Sequence, residues 1–85
     1  MTMPQQTKEQ ITTAFETVIS STSSPDALVS NEQATMIYTM LHLCGYVNNY
    51  GGIVEGATGG RTDKVSELTQ AEGIILASAL FVHQQ

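Results

Sequence analysis

Apolar residues recur at helical spacing in three stretches of the chain. In the first, Ile11, Ala14, Phe15, Val18 and Ile19 fall at i, i+3, i+4, i+7 and i+8. That is the stripe of an amphipathic helix, and it predicts a helix from about Lys8 to Ser21. Thr12, Thr13, Glu16 and Thr17 take the other side. The run of serines around Pro25 ends the element, because serines compete for the backbone and proline cannot continue a helix.

The second stretch predicts a helix from about Asn31 to Tyr46. Met36, Ile37, Met40, Leu41, Leu43, Cys44 and Val47 spread over about half of its circumference at roughly 100° per residue. That arc is wider than one neighbour requires. Gly45 and the Asn48-Asn49 pair weaken its end. The third stretch predicts a helix from Gln70 to His83 with two stripes. Ala71, Ile74, Ile75, Ser78, Phe81 and Val82 form the face assigned to the interior. Leu76 and Leu80, one turn apart, form a second stripe, with the small residues Gly73 and Ala77 between.

Each predicted helix opens on Ser/Thr-x-x-Glu/Gln: Thr7 to Gln10, Ser30 to Gln33 and Thr69 to Glu72. In such a capping box the hydroxyl accepts from the N3 amide and the N3 side chain accepts from the cap amide. The fold class expected is therefore all-α, a three-helix domain spanning residues 1–85, with residues 1–6 frayed. A Gly-rich loop over residues 47–64 joins the second and third helices. Two local alternatives stand within it. Ile53-Val54 could pair with Tyr46-Val47 as a small hairpin, and Thr62 or Asp63 could cap an extra turn through Val65 and Leu68.

Composition sharpens this picture. A chain of 85 residues buries only about 60% of the surface it exposes when unfolded, so a small core calls for support from disulfides, metals or oligomerisation. Cys44 is the single cysteine, which rules out an intrachain disulfide. With His42 and His83 it makes too small a set for structural zinc, and no metal or cofactor is expected. Oligomerisation remains, and Gly73, Leu76, Ala77 and Leu80 are the expected homo-oligomer contact. The net charge of −5 argues against nucleic-acid backbone as a partner, since that needs clustered Lys and Arg. The start of the chain lacks a basic region followed by an apolar run, and the longest apolar stretch, Gly73 to Val82, is about half a membrane span. A cytoplasmic protein with no membrane partner is the expectation.

Candidate chemistry is sparse. His42 lies two residues from Cys44, so on a helix the two point apart and no base serves the thiol. The carboxylates are scattered, with no facing pair for acid–base work. No catalytic residue is assigned, and the protein is expected not to be an enzyme. Two features suggest binding. Tyr38, His42 and Tyr46 follow i, i+4, i+8 and would form an aromatic ridge, the type of side chain that anchors protein interfaces. Residues 51–64 hold five of the seven glycines and two of the three basic residues. Glycine amides can converge on an anion, with Arg61, Thr62 and Lys64 adding charge and a hydroxyl. The spacing is not that of a P-loop, and a plain flexible connector would use the same glycines.

The reading that follows is a small acidic binding protein, a regulator, inhibitor or adaptor that works through protein–protein contact. The alternative is an oligomeric binder or sponge for a nucleotide or signalling dinucleotide, using the Gly-rich loop and the Tyr/His ridge.

Overall fold

The structure, a computed structural model, describes the backbone of residues 5–83 and the side chains of residues 6–82. Among the described residues the chain is all-α, with four helices and no strand. The helices are α1 (Gln5–Ser20), α2 (Asn31–Leu43), α3 (Tyr50–Thr58) and α4 (Gln70–His83), and a short 3-10 turn (Val65–Glu67) lies between α3 and α4. α1 packs on α2 and α4, α2 packs on α4, and α3 docks on α4. Ile11, Val18, Ile37, Met40, Leu41, Val54, Leu68, Leu76 and Leu80 meet in one buried cluster.

Two of the three expected capping boxes form. The Ser30 hydroxyl accepts from the Gln33 amide, and Gln33 Oε1 accepts from the Ser30 amide at 2.9 Å. The Thr69 hydroxyl accepts from the Glu72 amide at 3.2 Å, and the Glu72 carboxylate accepts from the Thr69 amide at 3.0 Å. Both helices start where these local bonds place them. The box at Thr7 does not form, because α1 is already helical at Gln5. Gln5 and Gln6, expected to be frayed, are therefore part of α1; the rest of that expectation, residues 1–4, lies outside the described residues.

The three-helix count is corrected to four, and half of the expected loop over 47–64 is the helix α3. α3 carries Gly51, Gly52 and Gly56, each of which costs about 1 kcal/mol in a helix interior relative to alanine. Tertiary burial offsets this: Val54 is fully buried, and Tyr50, Ile53 and Ala57 pack against the core. The hairpin alternative is excluded, since Ile53 and Val54 lie inside α3. The alternative of an extra turn through Val65 is met in part by the 3-10 turn. It does not extend α4 backwards, because Leu68 is extended (ψ 140°) and Thr69 caps a fresh helix.

The inward face of α4 is rotated from the expected one: Ile74 and Phe81 of the expected face do pack against the core, but Ile75 and Val82 do not. Leu76, Ala77 and Leu80 are buried, whereas Ile75 is 58% and Val82 68% exposed. Gly73 explains the choice. A Cβ there would come within 3.0 Å of Val29 Cγ1 and 3.3 Å of Ile37 Cδ1, so the absence of a side chain lets α4 close onto α2. The assignment of Gly73, Leu76, Ala77 and Leu80 to an oligomer contact is thereby corrected: they are the chain's own interior.

Two buried glutamines tie the connections down. Gln70 Oε1 accepts from the amides of Ser23 (2.7 Å) and Ser24 (3.1 Å), while its Nε2 donates to the Leu28 carbonyl at 3.3 Å. The amides of Gln70 and Ala71, which have no partner within α4, donate to the Ala27 and Pro25 carbonyls. The α1–α2 connection is thus held across the start of α4. Gln33 performs the corresponding task between the end of α1 and the start of α2, where Nε2 donates to the Val18 carbonyl at 3.3 Å.

Candidate functional site

The aromatic ridge changes membership. Gly45, at φ 86°, takes the left-handed conformation that stops α2, so the chain turns before Tyr46. Tyr46 is half-buried against the core rather than one turn beyond His42. Tyr50, from the first turn of α3, takes its place. Its ring lies 5.2 Å from that of Tyr38 at a 60° tilt, an edge-favouring geometry that fixes both rings. No sequence signal marked Tyr50, because its proximity to Tyr38 depends on the α2–α3 turn.

These side chains border an open groove of about 550 Å³, lined by Gln10 of α1, by Thr35, Tyr38, Thr39, His42 and Leu43 of α2, and by Tyr50. A smaller depression of about 310 Å³ adjoins it, sharing Gln10 and Thr39 and adding Glu9, Thr13 and Met36. Tyr38 is 40% exposed and His42 is exposed, so their surfaces are open to a partner. Thr35 and Thr39 donate their hydroxyl protons to the carbonyls of Asn31 and Thr35 one turn back. Their oxygens remain acceptors along the groove floor. The groove's lining is aromatic, apolar, amide and hydroxyl in character, with the His42 imidazole, and Glu9 carries the charge of the adjoining depression.

The expected anion site is arranged differently. Arg61 lies beyond α3, and its guanidinium makes a two-point contact with the Glu72 carboxylate: Nε donates to Oε2 at 3.0 Å and Nη2 donates to Oε1. Nη2 also donates to the Glu67 carbonyl at 2.8 Å. Thr62 is buried, its hydroxyl donating to Glu67 Oε1 at 2.6 Å and accepting from the Lys64 amide at 3.1 Å. Arg61 and Thr62 thus serve the link between α3 and α4, whereas the Lys64 side chain is exposed. The amides of Ile53, Gly59 and Gly60 donate to the carbonyls of Asn49 and Glu55. The structure does not bring Arg61, Thr62 and Lys64 to the Tyr38–His42 groove, which lies across α1, α2 and the start of α3.

Arg61 also sets the titration of its partner. Its hydrogen bonds, with the Thr69 amide second, lower the Glu72 pKa from an ordinary 4.5 to about 2. The folded state therefore holds fewer protons than the unfolded state between these values. The stabilisation is complete above about pH 4.5 and disappears as the pH falls towards 2. Glu72→Gln keeps a cap acceptor and removes the charge. The variant should be less stable than wild type at pH 7, and the gap should close on acidification to about pH 2, as followed by thermal melts across the range.

Among the described residues no group of three or more His, Cys, Asp and Glu side chains is placed to hold a metal ion, and no helix is long and apolar enough to cross a membrane. Cys44 is half-buried, with Sγ 4.0 Å from the Leu80 carbonyl oxygen. The class defined by fold and site is a small all-α protein with an aromatic-walled surface groove. No protein-family model matches the chain, and neither a curated protein nor a solved structure matches it.

Proposed function

We propose that the protein acts by docking on another protein, as a regulator, inhibitor or adaptor without a reaction of its own, and that the α1–α2 groove receives a peptide segment of that partner. The observation that carries this reading is the groove's make-up. Tyr38, Tyr50 and Leu43 offer an apolar wall for one anchoring side chain, while Gln10, Thr35 and Thr39 offer hydrogen bonds to a main chain. Exposed tyrosines beside such a depression are the side chains that dominate binding energy in protein interfaces. Glu9 at the far end and the net charge of −5 favour a segment with Lys or Arg flanking its apolar anchor. A cytoplasmic setting suits the single cysteine. The nucleotide-sponge alternative has less support, since the guanidinium it relied on is engaged by Glu72.

A peptide library displayed on phage and selected on the immobilised protein tests the proposal. Enriched peptides should carry an apolar residue next to basic ones. Tyr38→Ala should weaken their binding by about 2 kcal/mol, roughly thirtyfold, without changing the far-UV circular dichroism. Peptides that bind Tyr38→Ala as well as wild type would remove the groove from the account, and heat on titration with free nucleotides would favour the alternative.

A further inference from the structure

The outward face of α4 is a different surface and raises a different question. Glu72 is the one Asp, Glu, Lys or Arg between Gln70 and His83, and Arg61 holds it. Opposite the buried residues of α4 lie Ala71, Ile75, Ser78, Ala79 and Val82. Ile75 is 58% and Val82 68% exposed, and Ala79 is exposed as well. A helix that is apolar on all sides is normally covered on all sides.

We infer that a second copy of this chain covers this face, the two α4 helices packing antiparallel about a twofold axis. The spacing of Ala71, Ile75, Ser78 and Val82 is four, three and four residues, the repeat of a seam between two helices. Antiparallel helices related by a twofold axis between residues 76 and 77 bring residues equidistant from that point together. Ala71 then faces the partner's Val82, and Ile75 faces the partner's Ser78. Each contact sets a small side chain against a large one, so the surface is complementary to itself, as an isologous interface requires. A parallel pair would instead stack Ile75 on the partner's Ile75 and Ala71 on the partner's Ala71, alternately forcing the helices apart and leaving a gap.

Charge sets which face two copies can share. Two copies of a chain at −5 repel each other, and they can approach most closely through a face that carries no carboxylate. Ile19 is a large exposed apolar residue of α1, the helix that packs beside α4. It is 42% exposed and lies one turn beyond Phe15, whose ring stacks on Phe81 of α4 at 4.7 Å. A seam along one helix of this length, about 21 Å at 1.5 Å per residue, falls in the small, weak class of interfaces. The dimer should therefore form and dissociate with concentration.

Sedimentation equilibrium over a concentration series tests this. The wild-type mass should rise from that of one chain towards that of two, and more readily as salt screens the carboxylates. Ile75→Asp should stay at the mass of one chain throughout with an unchanged melting temperature; if it fails to fold, Val82→Lys probes the same face. For the register, Ile75→Cys and Ser78→Cys proteins, each in a Cys44→Ser background, should be oxidised together. A disulfide joining the two different chains is expected in excess over either self-linked product. A wild type that remains at one chain mass at every concentration, an Ile75→Asp variant that associates like wild type, or preferential self-linking of Ile75→Cys would each overturn the inference.

Discussion

Leu80→Asp should abolish the fold. Leu80 is 4% exposed and sits in the cluster with Ile11, Met40 and Leu76. Removing a buried leucine side chain forfeits about 1.5–3 kcal/mol of burial. An unpaired carboxylate in the same place adds several kcal/mol of desolvation, or the group takes up a proton and still leaves a polar atom unsatisfied. A domain of this size has a total stability of roughly 4–13 kcal/mol at about 0.05–0.15 kcal/mol per residue. The far-UV circular dichroism of the variant should therefore lack most of the helical signal at 25 °C. Ile75→Asp, five residues earlier on the exposed face, should keep it. If Leu80→Asp remains helical with a cooperative melt while Ile75→Asp unfolds, the two faces of α4 have been exchanged.

The second large effect is expected at a polar position. Gln33 is fully buried. Its Oε1 accepts from the Ser30 amide at 2.9 Å, and its Nε2 donates to the Val18 carbonyl at 3.3 Å and the Thr22 hydroxyl at 3.4 Å. One side chain thus serves the first turn of α2 and the last turn of α1. Gln33→Met keeps the length and most of the volume but offers no comparable donor or acceptor. The Ser30 amide then loses its acceptor, which costs about 1–3 kcal/mol, and the melting temperature should fall by roughly 10 °C at about 4–8 °C per kcal/mol. Ser30→Ala removes the other half of the same box but leaves the tie to α1. It should cost about 1 kcal/mol, a visibly smaller shift. Equal shifts in the two variants would mean that the contact with α1 contributes nothing.

The starts of α2 and α4 were legible in the sequence, because a capping box is a contact between residues three apart and needs no tertiary partner. The C-terminal end of α2 was placed too late. Tyr46 continues the apolar and aromatic spacing, but the left-handed Gly45 interrupts the helix, and with it the expected ridge. α3 left almost no local trace. Nine residues including Gly51, Gly52 and Gly56 make a poor isolated helix, and a helix shorter than about 12–15 residues is marginal in water even for good formers. It exists because Val54 is buried. The groove residues were legible in part, Tyr38 and His42 from α2 itself, whereas Tyr50 was not.

What the sequence determined by itself is what short-range physics controls: the all-α class, the capped starts of α2 and α4, the apolar stripe of α1, and the exclusion of a disulfide. The tertiary structure decided which face of α4 turns inward, because a helix apolar on nearly all sides carries little directional signal and only the close approach of Val29 and Ile37 over Gly73 breaks the tie. It also decided the role of Arg61. Its sequence neighbourhood of glycines suggested an anion site, but the fold brings Glu72, eleven residues on, within hydrogen-bonding distance, and the nearest carboxylate in space engages the charge.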